Sequence, residues 1–247
     1  MFAAILALTM MQGSADTLRV RPLYSGGAPR FDGMVTEPEY GAPSIGLPTA
    51  QGGVSIWVVR AGDTAYVAAR MTDSTFYWGD DFVISLDPLG DRTPGPGHDD
   101  TQWYLRRVLD SSVVNRGRHG RWMAPGDDPD WRLGKERSGD GWEVLGSSDD
   151  KGWSVELRLP LAWLTDETGR QATIAFRSYD NAPHAWYAWP VPREGERATR
   201  IEMLPVRWAL VLVSIRWPRR QRYALRPRDG SSKFQAPSST ETSSSNH

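Results

Sequence analysis

Gly152-Trp153-Ser154-Val155-Glu156-Leu157-Arg158-Leu159-Pro160 is the stretch that decides the fold class. Trp153, Val155, Leu157 and Leu159 point one way, and Ser154, Glu156 and Arg158 point the other. A period of two is the mark of a half-buried antiparallel strand. Pro160 has no N–H to give to a ladder and ends the strand. Residues 161–164 then predict one short helical turn.

The same reading extends in both directions. Residues 54–59 and 64–71 are strands joined at Gly62-Asp63, a hairpin pattern. Residues 81–87 alternate Phe82, Ile84 and Leu86 with Val83, Ser85 and Asp87. A loop rich in Gly, Pro and Asp spans 88–100. Residues 102–109, 142–145, 172–179 and 208–214 complete the set, with Ile174 and Phe176 inward. Residues 115–129 are turn-rich and read as a mobile loop. About eight short strands with almost no helix predict an all-β domain. The expected architecture is an antiparallel β-sandwich of two packed sheets, of the jelly-roll or immunoglobulin-like kind.

Composition agrees. The chain has 247 residues, 39% of them hydrophobic, with 24 Gly, 18 Pro and 12 Trp. That supports a sizeable core and many turns. Cysteine is absent, which excludes disulfides, thiolate metal sites and thiol catalysis. The net charge of −1 is uneven. From Arg216 onward there are seven Lys/Arg against two Asp/Glu, so the remainder is acidic. An acidic body gives no footprint for nucleic acid.

Residues 2–11 are almost wholly apolar, too short for a spanning helix of roughly 20 residues. Gly13-Ser14-Ala15 follows with small side chains. Residues 1–15 therefore read as an export signal peptide, although no Lys or Arg precedes the apolar run. The expected location is secreted or periplasmic. No transmembrane segment is expected. Residues 216–247 are Arg-rich, then Ser- and Thr-rich, and read as a disordered basic tail. The run 216–228 either touches an anionic surface or simply solubilises the chain.

Six motifs in order resemble carbohydrate-binding module family 9. Phe31-Asp32-Gly33 with Glu37-Pro38-Glu39-Tyr40 is similar to the family's opening "DG…E…W", with Tyr40 in the place of Trp. Ala65-Tyr66-Val67-Ala68-Ala69 with Asp73 resembles "LYV…V.D". Asp80-Asp81-Phe82-Val83-Ile84-Ser85-Leu86-Asp87 resembles "D.VEI.LD". Asp99-Asp100-Thr101-Gln102-Trp103-Tyr104 resembles the paired acids before the next strand. The 152–160 stretch with Leu164 is similar to "GW.VE..IP…L", and residues 177–181 to "N.D". The resemblance covers roughly residues 31–213 and places a family 9-like β-sandwich at 16–215. The same fold also hosts haem-binding and purely structural domains.

What the resemblance implies is a non-catalytic module whose partner is a saccharide or polysaccharide; a monomer is expected. Family members clamp a terminal sugar between two Trp residues. The matching positions are Trp78 and either Trp186 or Trp189. A flat indole suits the apolar C–H face of a pyranose. Asp80 and Asp81 beside Trp78, and Arg177 and Asn181 near the late aromatics, offer hydrogen bonds to hydroxyls. Each also has a structural reading. The rings could cap the core, the acids could end a loop, and Arg177 could pair with Glu156.

The many carboxylates do not by themselves indicate glycoside hydrolysis, which needs two acids at a set separation. No Ser-His-Asp order, H-E-x-x-H or phosphate loop is present. Asp87, Asp91, Asp99 and Asp100 bracket one loop and supply hard oxygen ligands suited to structural calcium. Asp127, Asp128 and Asp130 form a second acidic cluster. No other cofactor is expected. Two readings compete with sugar binding. One is a haem b electron-transfer domain using Met71 or Met123. The other is a structural envelope domain without a small ligand.

Overall fold

The computed structural model describes residues 17–23, 27–76, 79–93, 95–109, 112–123, 138, 139, 141–165, 168–190 and 208–213. The expected signal peptide, the expected tail, Trp78 and the Asp127, Asp128, Asp130 cluster lie outside them.

Strand is the main regular structure of the described residues. In chain order these are β1 (Thr17–Pro22), β2 (Ile45–Leu47), β3 (Gly53–Ala61), β4 (Thr64–Thr72), β5 (Asp81–Asp87), β6 (Thr101–Arg106) and β7 (Val113–Arg118). There follow β8 (Arg121–Met123), β9 (Ser138–Gly139), β10 (Trp142–Asp149), β11 (Gly152–Pro160), β12 (Thr173–Asp180), β13 (Ala185–Trp189) and β14 (Ala209–Val213). One four-residue helix, α1 (Glu37–Tyr40), and a 3-10 turn at Leu161–Trp163 accompany them. The hydrogen-bonded order is β8-β7-β6-β5-β12-β14-β1-β3-β4-β11-β10-β9, with β13 on β12 and β2 on β3.

This is one continuous curled sheet, and it is mixed. The purely antiparallel expectation is corrected at β1. Thr17–Val20 runs parallel to Leu210–Val213 of β14, and Arg21 and Pro22 run parallel to Val59 and Arg60 of β3. Parallel neighbours need a long crossover, and the chain between β1 and β3, with α1 and β2 in it, supplies one. β1 thus passes from one ladder to the other, as strands do at the corners of β-sandwiches.

The two ladders meet through large rings. Trp103 of β6 lies edge-on to Trp142 of β10 at 5.9 Å between centroids. Within one ladder, Phe82 of β5 stacks on Phe176 of the neighbouring β12 at 6.1 Å. Trp103, Phe82, Phe176 and Trp153 are all fully buried.

β11 sits between β4 and β10. The alternation foretells its inner face, but its polar face is buried too. The 32–40 segment lies over it: Ser154 Oγ donates to the Gly33 carbonyl at 2.7 Å. Glu156 accepts from the Asp32 and Gly33 N–H groups at 2.9 and 2.5 Å and from the Tyr40 hydroxyl. Glu156 therefore does not pair with Arg177, which stands on β12 in the other ladder.

The expected mobile loop at 115–129 is also corrected over its described part. β7 and β8 form a hairpin there, with His119 and Gly120 at positive φ in the turn and Val114 and Asn115 buried. Among the described residues no helix is long and apolar enough to cross a membrane.

Candidate functional site

Register sorts the β6-β5-β12-β13 side chains into rows. Directly opposite residues of antiparallel strands share a face. One row is Trp186–Tyr179–Asp81–Arg106, and the next is Ala188–Arg177–Val83–Tyr104. Ala175, Ser85, Gln102 and Asn115 form the third. All of these lie on the sheet face opposite the Phe82–Phe176 core layer.

This face is polar and tightly connected. Tyr104 donates its hydroxyl to Asp81 Oδ2 at 2.6 Å, and Arg106 Nε lies 3.5 Å from Asp81 Oδ1. Gln102 donates to Ser85 Oγ at 3.2 Å, and Asn115 donates to Gln102 Oε1 at 2.9 Å. Asp81 and Arg177 are both buried. Burial pushes the Asp81 carboxyl up to about 6, against the pull of the Tyr104 hydrogen bond and the Arg106 charge. Burial likewise holds the Arg177 guanidinium below its usual range.

Trp186 ends the row as a half-buried ring. Its indole lies 4.6 Å from the Tyr179 ring centroid, tilted by 36°. Tyr179 is in turn tied to His184 Nδ1 by its hydroxyl at 3.0 Å. Trp186 and Tyr179 thus make an aromatic step beside Asp81 and Arg177. Trp189 is elsewhere. It sits opposite Phe176, on the core side of β13, with 6.1 Å between ring centroids.

Asp80 turns away from Asp81. It is buried, accepts from the Asn181 N–H at 3.1 Å and faces Arg107 Nη1 at 3.5 Å. Asn181 lies at the end of β12, with its side-chain amide against Gly79. Arg107 also donates to the Thr75 carbonyl and stacks on Phe76, an exposed ring. The expected set therefore divides in three. Asp81, Arg177 and Trp186 share one face, Asp80 and Asn181 pin its end, and Trp189, itself half-buried, packs on Phe176 from the core side.

Tyr104, Arg106 and Gln102 were not foreseen as part of this surface. They alternate along β6, so their common face was legible. Their pairing with β5 was not, because a long loop hides the register.

At the far end of β5, carboxylate oxygens of Asp87, Asp99 and Asp100 lie within 4.8 Å of one another. Asp87 accepts from the Gly90 and Arg92 N–H groups and from Thr173 Oγ1. Asp100 Oδ2 accepts from Gly97, but its Oδ1 is buried with no hydrogen-bond partner. Burial and the neighbouring acids push Asp100 up to about 7. Such a donor set fits a hard cation. Asp91 stands outside the group, exposed, with its Oδ1 accepting from Thr93. A second trio is Asp73, Asp80 and Asp180, of which Asp73 and Asp80 face Arg107 at 4.0 and 3.5 Å.

Met71 is buried in β4 opposite Trp153, while Met123 lies in β8 opposite Arg116, on the other ladder.

No protein-family model and no curated protein matches the chain. Solved structures do. A carbohydrate-binding module family 9 from Caldicellulosiruptor kristjanssonii in complex with glucose superposes with a TM-score of 0.51 at 16% identity, covering 82% of this chain and 97% of that one. The same kind of module from that organism in complex with cellotriose gives 0.51 at 15% identity, covering 90% and 100%. This chain has a family 9-like fold. Within that fold the motif residues have structural jobs: Glu156 clasps the 32–40 segment, and Asp87 caps the loop after β5. Asp73 accepts from Thr75 at the end of β4.

Proposed function

We propose that this chain binds a saccharide and does no chemistry on it. The observation that carries this is the Trp186–Tyr179 step at the end of a row of buried, hydrogen-bonding side chains. A pyranose presents an apolar face and a rim of hydroxyls. Trp186 supplies the flat wall, Arg177 and Asn181 the donors, and Asp81 the acceptor. The solved neighbours in complex with glucose and with cellotriose support a neutral sugar. Trp78, close in sequence to Asp80 and Asp81, is the proposed second wall. Trp189 is not, because its ring packs on Phe176.

Asp81 is the one carboxylate in these three rows, and a single acid without a partner acid on its face suits binding better than glycoside hydrolysis. Export rests on the apolar run at 2–11 with Gly13-Ser14-Ala15 after it. Calcium held by Asp87, Asp99 and Asp100 is proposed as a structural ion, supported by the orphaned Asp100 oxygen.

The test is native affinity electrophoresis of the full chain through gels containing soluble β-glucans, xylans and mannans. Retardation by at least one polysaccharide, lost in Trp186→Ala, is expected. Free migration through all of them would overturn the reading.

A further inference from the structure

A cavity of about 200 Å³ lies near the opposite end of β5 and is lined by Pro88, Asp99, Thr101, Arg116, Trp163 and Arg170, with Ala162 beside Trp163. Asp81, in the Trp186 row, and Pro88 are seven residues apart, so about 23 Å of strand separates the two places. The faces differ as well. Thr101 and Arg116 belong to the row of Leu86 and Ile174, on the core side of the sheet, whereas Trp186 is on the other side. The cavity is therefore not an extension of the first site.

Its walls are fixed. Trp163 belongs to the 3-10 turn, which is anchored by Leu161 N–H to the Asp63 carbonyl at 2.8 Å and by Leu164 N–H to the Leu161 carbonyl at 2.9 Å. The Trp163 indole rests on Trp103, with centroids 6.1 Å apart at 34°, and stays half-buried. Arg170 Nη2 donates to the Ala162 carbonyl at 3.2 Å, which holds the guanidinium beside that indole. Thr165 and Gln171 bridge the loop that carries Arg170. Gly90 packs against the Gln171 carbonyl so closely that no Cβ fits there.

The chemistry is again one flat apolar wall with donors and acceptors around it. Two guanidinium groups and the Thr101 hydroxyl can donate, and Asp99 and Thr101 can accept. The field selects the ligand's charge. Asp99 lies within 4.8 Å of the Asp87 and Asp100 carboxylates, and in the calcium-free protein these acids offset the two arginines. A ligand bringing its own negative charge gains little there. We infer that this cavity is a second saccharide site, selective for a neutral pyranose over a uronate. With the two sites on opposite faces, one molecule bridges two glycan chains rather than gripping one twice, and avidity on a polysaccharide surface follows.

The experiment follows indole N–H cross-peaks of the full chain by ¹⁵N NMR, with Trp163 and Trp186 assigned from Trp163→Phe and Trp186→Phe. Glucose, then glucuronate, is titrated in chelator into the wild type and into Trp186→Ala. The Trp163 cross-peak should move with millimolar glucose in both proteins and respond at least about fivefold more weakly to glucuronate. Arg170→Ala should weaken the glucose response at Trp163 about fivefold, as loss of one hydrogen bond implies, and leave the Trp186 response intact. A Trp186 peak that shifts while Trp163 stays still overturns the second site and leaves the first. A Trp163 peak that answers glucuronate as well as glucose overturns the selectivity. Two motionless peaks overturn both sites.

Discussion

Trp186 and Trp189 are three residues apart in sequence and on opposite faces of β13. Position along a strand, not residue type, decides what each does. Trp189 fills space against Phe176, so Trp189→Ala should cost about 2–4 kcal/mol of stability in urea unfolding. Trp186→Ala should cost under about 1 kcal/mol, since the ring stands at the end of a row on the face away from Phe176. Equal losses would mean that both rings serve the core. The sequence showed both tryptophans and could not sort them, because β13 was not recognised as a strand. Ala185-Trp186-Tyr187-Ala188-Trp189 has no polar alternation, and its partner strand sets its phase. Asp80 and Asp81 repeat the lesson. Adjacent residues on an extended chain face opposite ways, so the pair could not act together on one ligand.

At the scale of elements, β11 was read correctly in extent and inner face because its alternation is strict. Its second burial was not foreseen, since no local pattern says that a segment 120 residues earlier will cover Glu156. That clasp is testable. Tyr40→Phe removes one of three donors to a buried carboxylate and should cost about 1–3 kcal/mol. Glu156→Ala strands all three donors and should cost more, about 3 kcal/mol or above, by the same urea measurement. Gly33 adds a steric condition. It has φ of 83°, and a Cβ there would lie 2.7 Å from the Gly146 backbone. Gly33→Ala should therefore lift the 32–40 segment off β11 and lower the melting temperature. Similar cost for Gly27→Ala, whose surroundings are open, would attribute the effect to backbone angle alone.

At the largest scale the described strands form a curled mixed sheet joined by β1, and that topology was the least legible feature. A six-residue strand that serves two ladders leaves no signature in its own sequence. Its charge economy yields a prediction with a definite sign. Burial raises Asp81 to about 6 and Asp100 to about 7, and raises Asp180 and Glu156 in the same direction. Between the ordinary carboxylate range and these values the folded chain holds more protons than the unfolded one, so stability falls as pH rises. Thermal melts in chelator should show a lower melting temperature at pH 8 than at pH 5. Asp100→Asn should flatten that decline. Calcium at millimolar concentration should raise the melting temperature at pH 8 in the wild type and much less in Asp100→Asn, because the ion stabilises the ionised acids. A melting temperature that rises from pH 5 to pH 8 in chelator would contradict the assigned burial. The most direct test of saccharide binding compares the two late tryptophans by calorimetry. Cellotriose is titrated into wild type, Trp186→Ala and Trp189→Ala, at a temperature where all three remain folded. The account predicts at least about a tenfold loss of affinity for Trp186→Ala, consistent with removal of a stacked ring, and near-wild-type binding for Trp189→Ala. Unchanged affinity in Trp186→Ala, or loss confined to Trp189→Ala, would contradict it.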